Sequence, residues 1–297
     1  MVIEKALEKM RQANALKTAS SPRTSSADAL RKEREAAAAI PAPTFPQVHV
    51  DAATVELNRV FVSNPSGGEG YYESPTADAA YRILRARLMQ KVRNNRWGVL
   101  AFTSPGAGEG KSLTTLNLAL NIAREKLNRV YLLDLDMRSP STCNYLGVQP
   151  PHELVQYFAG AGNPSDVFFS IGVDHLAIAG STTPTDQASE LLSNGRLEAL
   201  LDYIRSVSPN ALVLVDLPPI LVTDEALLIA PRVDATVLVV AEGRTRRDSL
   251  ARAKQMLSEF TVAGVVLNCA SQNYGADVYY GERYGSRYSK KFVPDAT

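Results

Sequence analysis

The residues best suited to chemistry lie in the run Thr103-Ser104-Pro105-Gly106-Ala107-Gly108-Glu109-Gly110-Lys111-Ser112. Glycines at alternate positions let a backbone turn its N–H groups inward around phosphate oxygens. Lys111 supplies a point charge to the β- and γ-phosphates of a nucleotide, and the Ser112 hydroxyl is a hard-oxygen ligand for Mg²⁺. The following stretch, Ser112–Glu125, has helical periodicity, and its positive N-terminal end adds to the same anion site. The expected cradle comprises Gly106, Ala107, Gly108, Glu109, Gly110, Lys111, Ser112 and Leu113. A strict G-x-x-x-x-G-K-S pattern would have glycine at position 105, where this chain has Pro105.

Two apolar runs end in acids. Val130–Leu133 leads into Asp134-Leu135-Asp136-Met137-Arg138, and Ala211–Val215 leads into Asp216-Leu217-Pro218-Pro219. A single aspartate at a strand end is usually a turn former or a helix cap. Two such ends beside a phosphate loop fit the water-mediated shell of a Mg²⁺–nucleotide. The chain has no N-K-x-D sequence to select guanine, so ATP is the expected nucleotide. After the last apolar run, Tyr274, Tyr279, Tyr280, Tyr284 and Tyr288 sit among Gly, Ser and charged residues without helical or strand periodicity. They read as phosphate acceptors on an exposed tail, each gaining roughly −1.5 to −2 charges when modified. An adhesive, unmodified Gly/Tyr tail is the alternative.

These residues need a scaffold that brings strand ends together. Apolar runs at 97–103, 130–133, 176–179, 211–215, 235–241 and 262–267 alternate with helical patterns at 76–92, 112–125, 187–207, 224–229 and 247–260. Continuous Val/Leu/Ile runs alternating with helices predict an α/β fold, a mostly parallel sheet with helices on both faces, of the P-loop NTPase kind. Ligands bind such sheets at the carboxyl ends of the strands, which is where all three acidic and glycine-rich turns fall. The expected organisation is an N-terminal extension over 1–75, a catalytic domain over 76–268 and a tyrosine-rich tail over 269–297. Within the extension, residues 2–16 read as a short amphipathic helix with Ile3, Leu7 and Met10 on one face. The Ala/Ser/Thr/Pro-rich stretch from Lys17 to Glu73 reads as a disordered linker.

The chain has 297 residues, 45% of them hydrophobic, and a formal net charge of +1. That balance suits a globular core and speaks against a nucleic-acid-coating surface. Cys143 and Cys269 read as two reduced thiols, and His49, His152 and His175 lack metal-site spacing. No apolar run reaches the ~18 residues of a membrane span, so a cytoplasmic location is expected, with any membrane role exercised through a partner.

Taken together, YRILRARL, TSPGAGEGKS, VYLLDLDMRSPS, ELLS, VLVDLPP, VTDEALLIAPRVDATVLVV, GVVLN and the tyrosine cluster resemble the bacterial tyrosine kinases of capsule and exopolysaccharide loci, over roughly residues 75–290. The N-terminal VIEKALEKM is similar to stand-alone members of exosortase-associated loci. The resemblance implies an ATP- and Mg²⁺-dependent autokinase. In it Asp134 orients or deprotonates the tyrosine hydroxyl, Asp136 and Asp216 hold the Mg²⁺ shell with Ser112, and Asn268 lies near adenine. It also implies a homo-oligomer at the inner membrane, a separate transmembrane chain-length regulator as activator, and a cognate phosphatase. One departure stands out. The family's subunit-contact motif E-x-x-R-x-x-R is met by Arg82 and Arg85, but Ala79 occupies the glutamate position, with Asp78 one place earlier. Asp78 is spaced to pair with Arg82 along a helix instead.

The rival reading is a positioning ATPase of the MinD/ParA type. Those proteins carry a second lysine five places before the invariant one, where this chain has Gly106, and lack a tyrosine-rich terminus. A nucleotide-dependent scaffold is the third reading.

Overall fold

The computed structural model describes residues 43–61 and 75–270. The amphipathic helix expected at 2–16 and the five C-terminal tyrosines lie outside the described residues. The elements run α1 (Ala52–Leu57), α2 (Pro75–Asn95), β1 (Val99–Thr103), α3 (Lys111–Ala123), β2 (Val130–Asp134), α4 (Thr142–Leu146), α5 (Leu154–Phe158), β3 (Leu176–Ala179), α6 (Ala188–Leu192), α7 (Arg196–Val207), β4 (Leu212–Asp216), α8 (Glu225–Ile229), β5 (Ala235–Ala241), α9 (Arg247–Met256) and β6 (Val262–Asn268). The six strands form one sheet in the order β3-β2-β4-β1-β5-β6, and every pairing is parallel.

Burial on both faces explains the unbroken apolar runs. Leu100, Phe102, Val130, Leu132, Leu212 and Leu214 pack toward α2 and α3. Val99, Ala101, Tyr131, Leu133, Val213 and Val215 pack on the opposite side with α5 to α9. The two-residue alternation of a strand continues this pattern to the acids. Asp134 and Asp216 share the parity of Leu132 and Leu214, so both lie on the α3 side, and they are register partners on adjacent strands. α7 shows the matching helical logic, burying Leu197, Leu200, Leu201 and Ile204 as one stripe.

Two sequence expectations are corrected. The single helix anticipated over 187–207 is two helices, α6 and α7, divided at Ser193-Asn194-Gly195. Gly195 adopts φ 80, a left-handed conformation, and Asn194 Nδ2 donates to the Phe158 carbonyl at 2.6 Å, fixing the break.

The linker expected to be disordered through residue 73 is, over 43–61, a packed strap. Phe45 meets Tyr131 and Phe168 edge-on or tilted, Val48 N–H donates to the Ser170 carbonyl at 2.8 Å, and Val50, Val55, Val60 and Phe61 are buried. Asn117 of α3 holds the strap's end: its Oδ1 accepts from Phe61 N–H at 2.9 Å and its Nδ2 donates to the Arg59 carbonyl at 3.1 Å. Arg124 also donates to the Phe61 carbonyl. On the neighbouring side, Asn58 Nδ2 donates to the Tyr145 carbonyl of α4 at 3.2 Å.

Candidate active site

The glycine-rich turn joins β1 to α3. Gly108 and Gly110 have φ 74 and 82, left-handed values that glycine adopts without steric cost. Ser104 Oγ donates to the Gly106 carbonyl at 2.7 Å, tightening the loop's entry. Ala107 and Gly108 are exposed, whereas Lys111 and Ser112 are buried. The loop therefore opens outward at its tip and closes over its cation.

Lys111 is the hub. Its ammonium donates to Asp136 Oδ2 at 2.6 Å and to Ser112 Oγ at 3.1 Å, and stands 3.6 Å from Asp216 Oδ2. Burial works against its charge, but the Asp216 and Asp136 carboxylates more than offset this and hold the ammonium above its ordinary range. Asp216 is fully buried and neither of its oxygens has a hydrogen-bond partner. Burial pushes its carboxyl up to about 7, against the pull of Lys111. A buried carboxylate whose nearest cation, Lys111, stands at 3.6 Å is incompletely satisfied, and a second cation would complete it.

Asp134 is differently placed. Its Oδ2 accepts from the N–H groups of Ser141 and Thr142 at 3.0 and 2.9 Å, and Oδ1 accepts from Asp136 N–H at 3.2 Å. It thus fastens the turn that starts α4, while burial holds its carboxyl above the usual range against the help of those donors and Lys111.

One support, Thr245, was not singled out in the sequence, whereas Glu109 and Asn268 were. Glu109 Oε1 accepts from Thr245 Oγ1 at 2.8 Å, and Thr245 Oγ1 itself accepts from Ala241 N–H at 2.9 Å. The loop is thereby tied to the turn after β5. Asn268, expected near adenine, donates Nδ2 to the Glu109 carbonyl at 3.0 Å; it braces the phosphate loop from the end of β6. A threonine in an arginine-rich segment carries no motif of its own.

Lys111, Ser112, Asp134, Asp136 and Asp216 are brought together, and Glu109, Gly110 and Asn268 form the adjoining wall. Among the described residues no set of three His, Cys, Asp or Glu gathers into a direct metal cage. Mg²⁺ does not require one: it keeps several waters and takes few protein oxygens beside a polyphosphate. Ser112, Asp136 and the incompletely satisfied Asp216 fit that arrangement. Cys143 is buried, and burial raises its thiol, which disfavours a thiolate metal ligand.

The helix arginines are engaged within the chain. Arg82 pairs with Asp78 at 3.2 Å, the spacing anticipated in the sequence. Arg85 donates to Asn121 Oδ1 at 2.7 Å and pairs with Glu125 at 2.7 Å.

Comparison with known proteins gives this geometry its lineage. Residues 97–291 match the family model described as ParA: NUBPL iron-transfer P-loop NTPase. The tyrosine-protein kinase CpsD of Streptococcus agalactiae is 27% identical over 71% of this chain and 91% of its own length. The putative tyrosine-protein kinase EpsB of Ralstonia solanacearum is 34% identical over 69% of this chain, which spans only 27% of that longer relative. Among solved structures, the kinase domain of the Escherichia coli tyrosine kinase ETK superposes with a TM-score of 0.61 at 25% identity, covering 72% of this chain and 81% of that one. The family match spans the phosphate loop and its acidic strand ends, and the chain belongs to the ParA-type P-loop NTPases and to the bacterial tyrosine kinase family.

Proposed function

We propose that the chain is an ATP-dependent protein-tyrosine autokinase whose acceptors are Tyr274, Tyr279, Tyr280, Tyr284 and Tyr288. The observation that carries this reading is the clustering of Lys111, Asp136 and Asp216 within hydrogen-bonding or ion-pairing distance at the mouth of the phosphate loop, with Asp134 in register beside Asp216. Mg²⁺, when bound, would neutralise phosphate charge as it develops. The loop amides and Lys111 would orient the triphosphate; Ser112, Asp136 and Asp216 would hold the metal through its waters. A tyrosine oxygen approaches in line with the β–γ bridging oxygen, forms the new O–P bond as the old one breaks, and gives its proton to the Asp134 carboxylate. The lone pairs of Asp134 not used by Ser141, Thr142 and Asp136 are those available for this role.

The motif resemblance to kinases of capsule and exopolysaccharide loci favours polysaccharide synthesis as the setting. No described helix is long and apolar enough to cross a membrane. By the family resemblance, a separate transmembrane regulator would act as activator, with a phosphatase resetting the tail. Delivery of the tail to a neighbouring copy completes the proposal. Because Arg82 and Arg85 are paired internally, contact between copies would use other surfaces or require these pairs to open.

Incubating the full chain with Mg²⁺–ATP and mapping phosphosites by mass spectrometry tests the reading. Phosphotyrosine at the C-terminal cluster is expected. ATP hydrolysis with no phosphotyrosine, even with an activator segment supplied, would instead favour a ParA-like nucleotide switch, the second reading, which the matching family model supports.

A further inference from the structure

Arg138 and Glu225 have no part in the reaction as described, yet they form the most deeply committed ion pair beside it. Arg138 lies two residues beyond Asp136, on the loop leaving β2. Glu225 opens α8, on the segment that leaves β4 after Asp216. Arg138 Nε donates to Glu225 Oε1 at 2.6 Å, and the Glu225 side chain is 0% exposed against 36% for Arg138. The single hydroxyl proton of Ser189 in α6 is shared between Asp224 Oδ1 at 2.6 Å and the same Glu225 Oε1 at 3.1 Å. Thr185 N–H donates to the Met137 carbonyl at 2.9 Å. The segments following β2, β3 and β4 are knotted together at this point.

Removing the Glu225 carboxylate from water is expensive, and an arginine side chain that stays 36% exposed returns only part of that cost. The pair is therefore weakly explained by stability alone. Its two ends lie on the segments that continue from Asp136 and from Asp216, the acids that flank Lys111 at 2.6 and 3.6 Å. Outer partners of this kind orient metal-binding groups they do not themselves join.

We propose that the Arg138–Glu225 pair is a positioning strut that sets the separation of Asp136 and Asp216 at the metal end of the nucleotide site. The inference rests on the Mg²⁺–nucleotide reading of that site and is independent of which phosphate acceptor is used. A strut that fails should loosen the metal's shell while leaving the phosphate loop, braced separately by Thr245 and Asn268, intact.

The test uses the full chain and a fluorescent ADP, titrated with Mg²⁺ and, separately, in EDTA, alongside thermal denaturation. R138Q and E225Q are each expected to raise the Mg²⁺ midpoint by about tenfold or more, the scale of losses at groups that orient metal ligands, with affinity in EDTA unchanged. Should a single variant fail to fold, the double variant R138Q/E225Q leaves no lone buried charge. Its Mg²⁺ midpoint is expected to shift in the same direction. A lowered melting temperature with unmoved midpoints would make the pair a plain fold contact and overturn the strut, as would an equal loss of affinity in EDTA. A wild-type chain whose nucleotide binding ignores Mg²⁺ would sink the site reading and the strut together.

Discussion

Gly110→Ala is the most informative single change, because one methyl group strikes two features at once. A Cβ at Gly110 would overlap Asn268 Nδ2, and the backbone there has φ 82. The left-handed conformation costs an L-residue roughly 1–2 kcal/mol. Displacing the Asn268 amide forfeits its hydrogen bond to the Glu109 carbonyl, worth about 0.5–1.5 kcal/mol. The sum, about 1.5–3.5 kcal/mol, corresponds to a melting temperature lower by about 3–14 °C for a domain of this size. Thermal denaturation would measure it, with fluorescent-ADP binding as the companion assay, since the loop whose amides meet the phosphates is the part distorted. Asn268→Gly separates the terms. In that background the overlap is gone, so Gly110→Ala should cost only the backbone share. If Gly110→Ala melts and binds nucleotide like the parent chain, the described packing of loop against β6 is wrong.

Lys111→Met removes the cation between Asp136 and Asp216 and the hold on the β- and γ-phosphates. Phosphoryl transfer should fall by at least about 10²–10³-fold, and radiolabel incorporation that persists would take Lys111 out of the mechanism. Asn117→Ala releases both strap hydrogen bonds at Arg59 and Phe61, and should cost about 1–3 kcal/mol, or about 2–12 °C of melting temperature; calorimetry showing no loss would mean the strap contributes little. Burial opposes the charge of Glu225, but surrounding donors, Arg138 and Ser189 among them, hold its carboxyl below the usual range. A depressed folded-state value means its stabilisation is present above the unfolded value of about 4.3 and fades as pH falls through the folded one. The melting-temperature gap between the parent chain and E225Q should therefore shrink below about pH 4; a pH-independent gap would contradict the ionised pair.

The sheet, its parallel sense and the phosphate loop were legible in the sequence because each rests on a local signal. Val/Leu/Ile runs mark strands buried on both faces, and closely spaced glycines before Lys111-Ser112 mark an anion cradle. Asp134, Asp136 and Asp216 were legible as strand-end acids, but their unequal surroundings were not. Which oxygen meets a backbone N–H and which meets nothing depends on the turn from Ser139 to Thr142, and that is tertiary geometry. The strap at 43–61 escaped notice because Val50, Val55 and Val60 recur every five residues, matching neither helix nor strand, within an Ala- and Pro-rich background. The split between α6 and α7 hinged on Asn194-Gly195, a turn signal overlooked between two helical stretches. Glu225 follows Asp224 at a helix start, where acids are ordinarily solvated. Only its burial reveals the partnership with Arg138.

The strap also has a mechanical consequence. It is clipped at its downstream end to Asn117 and Arg124 and along its length to α4, whose first residues grip Asp134. A pull on the strap's downstream end would accordingly reach the helix headed by Lys111 and Ser112 and the turn gripping Asp134, whereas a pull from upstream of residue 43 would first load Tyr131 of β2 and Ser170. An expression boundary drawn at residue 75 would sever that tether and leave an apolar trench where Val50, Val55 and Val60 belong.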